Sequence, residues 1–315
     1  MKVQENISVK AYTRFQLGGS VAYCIEVKNW EELLKAVKLA QEKKLPYYIV
    51  AGGSNLAFAD GLLNIVLIRI KETTRLTDKI VYSGSTVKAD ASVQLWAFVK
   101  NLIKKGYAGV ERLSGIPGTL GGAVVGNAGA YGIEIREYLT RVKIYDSKRV
   151  RWIKNADCNF KYRHSIFKEQ KWLVLEAEFK LPKGDSKELK KISDETLVKR
   201  EKFTKDLKTP GSYFKNIPVA NLPEDILKTL DQSKFIGGKV PVGYLLETVG
   251  SKGHRVGGIY VSDFHANVFV NDGEGKYEDL VTLITELKKR VKERFDITIE
   301  EEVRRVDETS FKVQP

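Results

Sequence analysis

Residues Ser114 to Gly132 read Ser-Gly-Ile-Pro-Gly-Thr-Leu-Gly-Gly-Ala-Val-Val-Gly-Asn-Ala-Gly-Ala-Tyr-Gly, and the reading of this stretch decides the fold. Seven of the eighteen residues from Gly115 to Gly132 are glycine, with Ala123, Ala128 and Ala130 between them. Glycine admits φ > 0 and leaves no Cβ between a backbone N–H and an approaching group. Successive N–H groups exposed in this way form an anion-binding concavity, so phosphates are the usual ligands. A flexible linker would be rich in Gly and Ser and would lack the Ile, Leu and Val found here. The stretch therefore reads as a backbone cradle for a large ligand.

Two common nucleotide motifs are excluded. No G-x-G-x-x-G lies between a strand and a helix, and no G-x-x-x-x-G-K-[ST] occurs, so neither a Rossmann site nor a P-loop fits. A second loop supports the cradle. The apolar, β-prone run Tyr47-Tyr48-Ile49-Val50 reads as a buried strand and leads into Ala51-Gly52-Gly53-Ser54-Asn55-Leu56. There Gly-Gly allows a tight turn, and the Ser and Asn side chains can bond locally. Two such loops in neighbouring segments suggest a cofactor gripped between two small lobes.

The chain has 315 residues, 43% hydrophobic and 30% charged, which suits two or three ordinary globular domains. No apolar run approaches the length of a membrane span, and the N-terminus has no signal-like apolar core. A cytoplasmic protein is expected. Cys24 and Cys158 lack C-x-x-C spacing, and His164, His254 and His265 lack metal-ligand spacing, so no metal is expected. Lys and Arg number 53 against 40 Asp and Glu, an excess of +13. Because acids interleave with the bases between Lys183 and Lys208, that excess reads as a solvated surface rather than a nucleic-acid interface.

Helical spacing of apolar residues predicts helices over Trp30–Lys44, Ser92–Lys104 and Tyr277–Phe295, and a charged helix over Lys187–Lys205. Strands are predicted over residues 61–70, over 173–181, over Ala266–Asn271 and in a final β segment at 297–306. Alternating strands and helices without a repeat imply mixed α and β lobes.

Several blocks in order along nearly the whole chain resemble the UDP-N-acetylenolpyruvoylglucosamine reductase (MurB) family. They are Tyr12-Thr13-Arg14-Phe15-Gln16-Leu17-Gly18-Gly19, the two glycine loops, Tyr162-Arg163-His164-Ser165, Gly211-Ser212-Tyr213-Phe214-Lys215-Asn216 and Glu302-Val303-Arg304. The S-G-I-P-G-x-x-G-G block alone is shared with the wider vanillyl-alcohol-oxidase-like FAD fold. The Y-R-x-S, G-S-x-F-K-N and E-V-R blocks are more specific. Another FAD-linked oxidase or dehydrogenase of the same fold is the alternative. The chain departs from the family at Ile217, which precedes Pro218 where Pro usually follows the K-N pair, and at Glu301, where Pro is common. The segment between Phe167 and Ser212 is short, as in the subclass without an extra substrate-covering loop.

The resemblance implies an α+β architecture: a two-lobed FAD-binding fold plus a C-terminal α+β substrate domain. Lobe one would be 1–75 completed by 297–315, lobe two 76–200, and the substrate domain 205–296. It implies noncovalent FAD, NADPH as reductant, and reduction of UDP-N-acetylglucosamine enolpyruvate to UDP-N-acetylmuramate, a step of peptidoglycan precursor synthesis, by a monomer. Gly52, Gly53, Ser54, Asn55, Leu56, Ser114, Gly115, Ile116, Pro117, Gly118, Gly122, Asn127, Gly129 and Ala130 would bind FAD. Arg163 would stabilise an enolate-like intermediate, Ser212 would donate the proton, and Glu302 would hydrogen-bond the enolate carboxylate. Glu302 is favoured over Glu300 and Glu301 by its spacing to Val303-Arg304. Asn216, Lys252 and His265 would contact the UDP-sugar, and Tyr131 would stack on a ring or pack in the core.

Overall fold

Apolar spacing and capping set the helices. In the computed structural model, which describes residues 1–170, 172–204 and 207–311, the first helix is Trp30–Glu42. It buries Leu33, Ala36, Val37 and Ala40, and the Asn29 side chain accepts the Glu32 N–H at its start. Such a cap satisfies a backbone donor that the helix itself cannot. The Tyr277–Phe295 helix runs over the predicted residues and buries Leu280, Leu283, Ile284, Leu287, Val291 and Phe295 on one stripe.

The chain divides into two compact units. One comprises Met1–Val3, Ile25–Gly52 and Leu67–Lys202, the other Gln4–Cys24, Gly53–Val66 and Phe203–Pro315. The first is built on a five-stranded antiparallel sheet in the order Val150–Lys154, Leu139–Tyr145, Leu173–Lys180, Thr86–Asp90, Ile80–Ser83. Its inward residues alternate as a half-buried strand requires: Ala177 lies opposite both Val142 and Ala89, and Phe179 opposite Val87. The Leu95–Lys104 helix lays Leu95, Phe98, Val99 and Leu102 into the same core, where the Phe98 and Phe179 rings lie 5.4 Å apart.

The core of the second unit surrounds the Tyr277–Phe295 helix. Arg255–Val256, Ile259–Val261 and Phe269–Asn271 form a three-stranded antiparallel sheet, while Arg304–Val306 pairs in parallel with Leu56–Phe58. Tyr213 stacks on Phe269 at 4.6 Å, and Phe214 meets the same ring edge-on at 5.8 Å. The Asn271 amide donates to the Phe15 and Gln16 carbonyls and accepts the Gly273 and Gly275 N–H groups. The Tyr12–Gly19 block thus has a structural use.

Three expectations change. The glycine stretch contains a helix, Leu120–Gly126, because Thr119 caps it by accepting the Gly122 N–H and Asn127 ends it in the left-handed region. Of the final β segment only Arg304–Val306 is strand, and of Ala266–Asn271 only Phe269–Asn271. Residues Ser262–Val268 instead close a turn through the Ser262 hydroxyl, which bonds both the N–H and the C=O of His265. Residues 312–315 of the expected C-terminal completion lie outside the described residues.

Truncation of a fully buried aromatic tests the first core. Phe98→Ala should cost about 3–5 kcal/mol, read as a fall in the denaturation midpoint, whereas an unchanged midpoint would remove Phe98 from the core.

Candidate active site

In the first unit the glycine stretch is laced to the segment before the Leu95–Lys104 helix. Leu120 N–H donates to Val93 O, Gly121 N–H to Ala91 O, and Leu95 N–H to Gly118 O. A Cβ on Gly121 would stand 2.8 Å from that of Ala91, and one on Gly52 would reach 2.9 Å from the Gly118 Cα and collide with the Glu72 carboxylate. The two loops singled out in the sequence therefore meet at Gly52, where a Cβ has no room, and Gly118, whose φ is +101°.

The remaining glycines separate by what lies beside them. Gly129 is required by its own hairpin, since a Cβ there would lie 2.5 Å from Ile133 O. At Gly115 the space is filled by Leu197 and Arg200. Gly53, in the second unit, is pressed against the backbone of Tyr12 and Thr13. By contrast, a Cβ on Gly122 would meet nothing nearer than Thr119 Oγ1 at 3.5 Å, and Gly122 is exposed. Asn127 is fully buried; its Nδ2 donates to Glu134 Oε2 and Lys161 O, while its Oδ1 is buried without a hydrogen-bond partner. An open glycine surface beside an orphaned acceptor fits a ligand carrying both flat surface and hydrogen-bond donors, as FAD does.

Ser114 is anchored by its hydroxyl, which lies 2.8 Å from Ser193 Oγ and donates to Glu111 O. Arg200, which the sequence did not single out, donates from Nε to Ser114 O at 3.0 Å. Burial and the neighbouring Arg163 charge lower its pKa. No sequence signal marks Arg200, because it sits in an interleaved charge run. Ile116 closes a turn on Leu113, Pro117 is exposed, and Ala130 pairs with Ile133. Tyr131 is 44% exposed at φ +51°, so the core-packing alternative does not hold. Lys199 and Arg200 flank its ring at 5.9 and 5.8 Å.

Arg163 stands in a turn closed by mutual backbone bonds between Lys161 and His164, at φ +54°. Few side chains accept that conformation, and such outliers cluster at functional sites. Its Nη2 donates to Gly129 O at 2.9 Å, and its guanidinium stands 5.3 Å from the Tyr162 ring. Lys168 Nζ holds the Arg163 carbonyl at 2.7 Å. The structure thus brings Arg163 to the glycine stretch.

The second unit holds the other candidates. Ser212 is exposed after Gly211, whose φ is +88°. Tyr213 O accepts the N–H of Glu302 at 2.8 Å and that of Val303 at 3.3 Å, so Glu302 is tied to the residue that follows Ser212. Asn55 Nδ2 donates to Glu302 O at 2.9 Å, and Arg304 N–H to Asn55 O. Of the three consecutive acids, Glu301 is bound by Lys288 at 2.6 Å, Arg305 at 3.0 Å and the Tyr213 hydroxyl at 3.2 Å. Glu300 is exposed and pairs with Lys215. Glu302 is half-buried, and its backbone is fixed on both sides. Ser54 is half-buried, and Leu56 lies in the parallel strand pair.

Asn216 Oδ1 accepts the Val242 N–H, capping the Val242–Thr248 helix. Lys252 Nζ lies 2.6 Å from Glu247 Oε1. Burial lowers the His265 pKa. Its Nδ1 accepts the Asn267 N–H at 3.1 Å, so Nδ1 carries no proton in the neutral ring and Nε2 is the donor. Among the described residues, no cluster of His, Cys, Asp and Glu could hold a metal ion. Both cysteines are buried and not disulfide-bonded.

Comparison with known proteins identifies the family. Residues 21–148 match the FAD binding domain family, and residues 202–306 match the UDP-N-acetylenolpyruvoylglucosamine reductase C-terminal domain family. The chain is 37% identical to the UDP-N-acetylenolpyruvoylglucosamine reductase of Solibacter usitatus, over 97% of each chain. It is 34% identical to that of Alkaliphilus oremlandii, over 95% of this chain and 92% of the relative. The crystal structure of the Thermus caldophilus enzyme (MurB) superposes with a TM-score of 0.75 at 26% identity, over 97% of this chain and 99% of that one. The α+β architecture with an FAD-binding part is as expected, and the chain belongs to the UDP-N-acetylenolpyruvoylglucosamine reductase family.

Proposed function

We infer that this protein reduces UDP-N-acetylglucosamine enolpyruvate to UDP-N-acetylmuramate, using NADPH as reductant and noncovalent FAD. The observation that supports the reading is the Tyr213 carbonyl, which accepts the Glu302 N–H and so ties Glu302 to the residue that follows Ser212. Gly52, Gly53, Ser54, Asn55, Leu56, Ser114, Gly115, Ile116, Pro117, Gly118, Gly122, Asn127, Gly129 and Ala130 would hold the cofactor. The hydride chemistry, from NADPH to the terminal vinyl carbon of the substrate, would be supplied by FAD held there.

The protein's own groups must manage the charge and the proton. Negative charge develops toward the substrate carboxylate, and a planar, permanently charged guanidinium in a fixed orientation stabilises it. Arg163 has that orientation from its bond to Gly129 O. The carbon alpha to the carboxylate then needs a proton, which a positioned weak acid can give; Ser212 is the exposed hydroxyl for this step. Glu302, as the carboxylic acid, would donate a hydrogen bond to the same carboxylate, while Glu301 and Glu300 are engaged by cations. Lys252 would exchange Glu247 for the substrate diphosphate. Asn216, Tyr131 and His265, the last as a neutral Nε2–H donor, would contact the sugar nucleotide.

The three-part division at about residues 75 and 200, a monomeric state and a cytoplasmic site belong to the same reading. Among the described residues, no helix is long and apolar enough to cross a membrane.

Stopped-flow absorbance separates the two half-reactions. In the wild type, NADPH should bleach the flavin, and the enolpyruvyl substrate should restore it; failure of the substrate to restore colour would favour another FAD-linked oxidase. Ser212→Ala should keep flavin reduction but slow reoxidation by roughly 10²-fold or more, and an unaltered reoxidation rate would leave Ser212 a turn residue. Gly122→Val should fold yet retain much less FAD, because its side chain enters the open surface; undiminished FAD affinity would contradict the cradle. The His265 ring should be neutral with its proton on Nε2 at pH 7, as read by nitrogen NMR. Its stabilising contribution is present above the unfolded value of 6.5 and is lost as pH falls through the lower folded value.

A further inference from the structure

Asn267, 2% exposed, lies outside every chemical role assigned above, yet its bonds converge on the segment that carries Ser212. Phe214 N–H donates to Asn267 Oδ1 at 2.9 Å, and Asn267 Nδ2 donates to Phe214 O at 2.9 Å. Its backbone carbonyl accepts the Tyr213 N–H at 2.8 Å, and its own N–H donates to His265 Nδ1. One side-chain amide therefore does the work of a strand neighbour, presenting a donor and an acceptor to both polar groups of one residue. On the opposite edge of the same segment lie Glu302 and Val303.

We propose that Asn267 is a positioning residue that sets the placement of Ser212 through its paired amide bonds to Phe214, and links that placement to the His265 turn. The proposal rests on the reading of Ser212 as proton donor. A hydroxyl has one short trajectory to the carbon it protonates, and displacement by about 1 Å can cost 10²-fold in rate. Residues 212–215 form no regular strand, and Ser212 meets Val268 in one isolated antiparallel bridge, so the Asn267 side-chain bonds at Phe214 hold the other end of this short segment. A purely structural Asn267 would affect stability and leave the rate of the folded, flavin-loaded enzyme untouched.

The test compares Asn267→Ala, Asn267→Asp and Ser212→Ala as FAD-loaded proteins in single turnover at saturating enolpyruvyl substrate. Asn267→Ala should reoxidise roughly 10²-fold more slowly than wild type, and in the Ser212→Ala background it should add no further slowing. Asn267→Asp discriminates most sharply. A neutral carboxylic acid offers one donor and one acceptor, like the amide, whereas the carboxylate only accepts. Burial raises the pKa of such an acid, so the rate relative to wild type should recover as pH falls from about 8 to about 5. If both Asn267 variants reoxidise at the wild-type rate while Ser212→Ala is slow, positioning is overturned and the donor reading stands. If Asn267→Asp is slow at every pH, the paired-bond account is overturned, and this variant decides alone should Asn267→Ala not fold. If Ser212→Ala reoxidises normally, both readings fall together.

Discussion

The chemistry assigned to the second unit depends on the backbone of Ser212–Lys215 being hydrogen-bonded along both edges. One edge is the Asn267 amide and carbonyl; the other is the run from Glu300 to Val303. A short segment that belongs to no regular strand would otherwise carry unsatisfied polar groups into a buried region, at a cost of about 1–3 kcal/mol each. Here Tyr213 and Phe214 are buried against Phe269, so the apolar packing and the polar ladder fix the same few residues. Glu301 reinforces the arrangement from the far side, drawing Lys288, Arg305 and the Tyr213 hydroxyl to one carboxylate. The burial of that hydroxyl beside an acid pushes its pKa upward, so Tyr213 stays neutral and serves as a fastener.

Much of the secondary structure was legible because the apolar period is strong where burial is one-sided. The Tyr277–Phe295 helix and the Tyr47–Val50 strand follow the expected residues. What escaped was local polar chemistry. Thr119 as a cap turns a glycine-rich stretch into a helix, and glycine density by itself argues against one. The Ser262 hydroxyl ends the expected Ala266–Asn271 strand early by supporting a turn instead. Periodicity carries no information about such bonds.

The candidate site was legible as motifs and illegible as reasons. Arg163, Ser212 and Glu302 were named from blocks of sequence, but nothing in the letters showed that Arg163 stands at positive φ or that Glu301 is taken up by two cations. The glycines of the two loops also serve different ends. Gly129 and Gly53 satisfy the protein's own packing, whereas Gly122 leaves room for something else. Arg200 and Asn267 could not have been found from composition, since their importance lies in partners 86 and 53 residues away in the chain.

The anchoring of Phe15 and Gln16 by Asn271 joins residues 256 and 255 positions apart, and this sets an order of events during synthesis. The second unit draws on Gln4–Cys24, Gly53–Val66 and Phe203–Pro315. At about 5–20 residues per second, its earliest segment leaves the ribosome tens of seconds before its partner exists. The long stretch Leu67–Lys202, in contrast, has its sheet strands and their helix within one continuous run and can collapse first. For that interval Phe15 and Leu17, fully buried at the end, are apolar segments without a core. Gln4–Cys24 and Gly53–Val66 are open to chaperones and proteases for that interval, and a circular permutant that brings Gln4–Cys24 next to the C-terminal segment would shorten the wait.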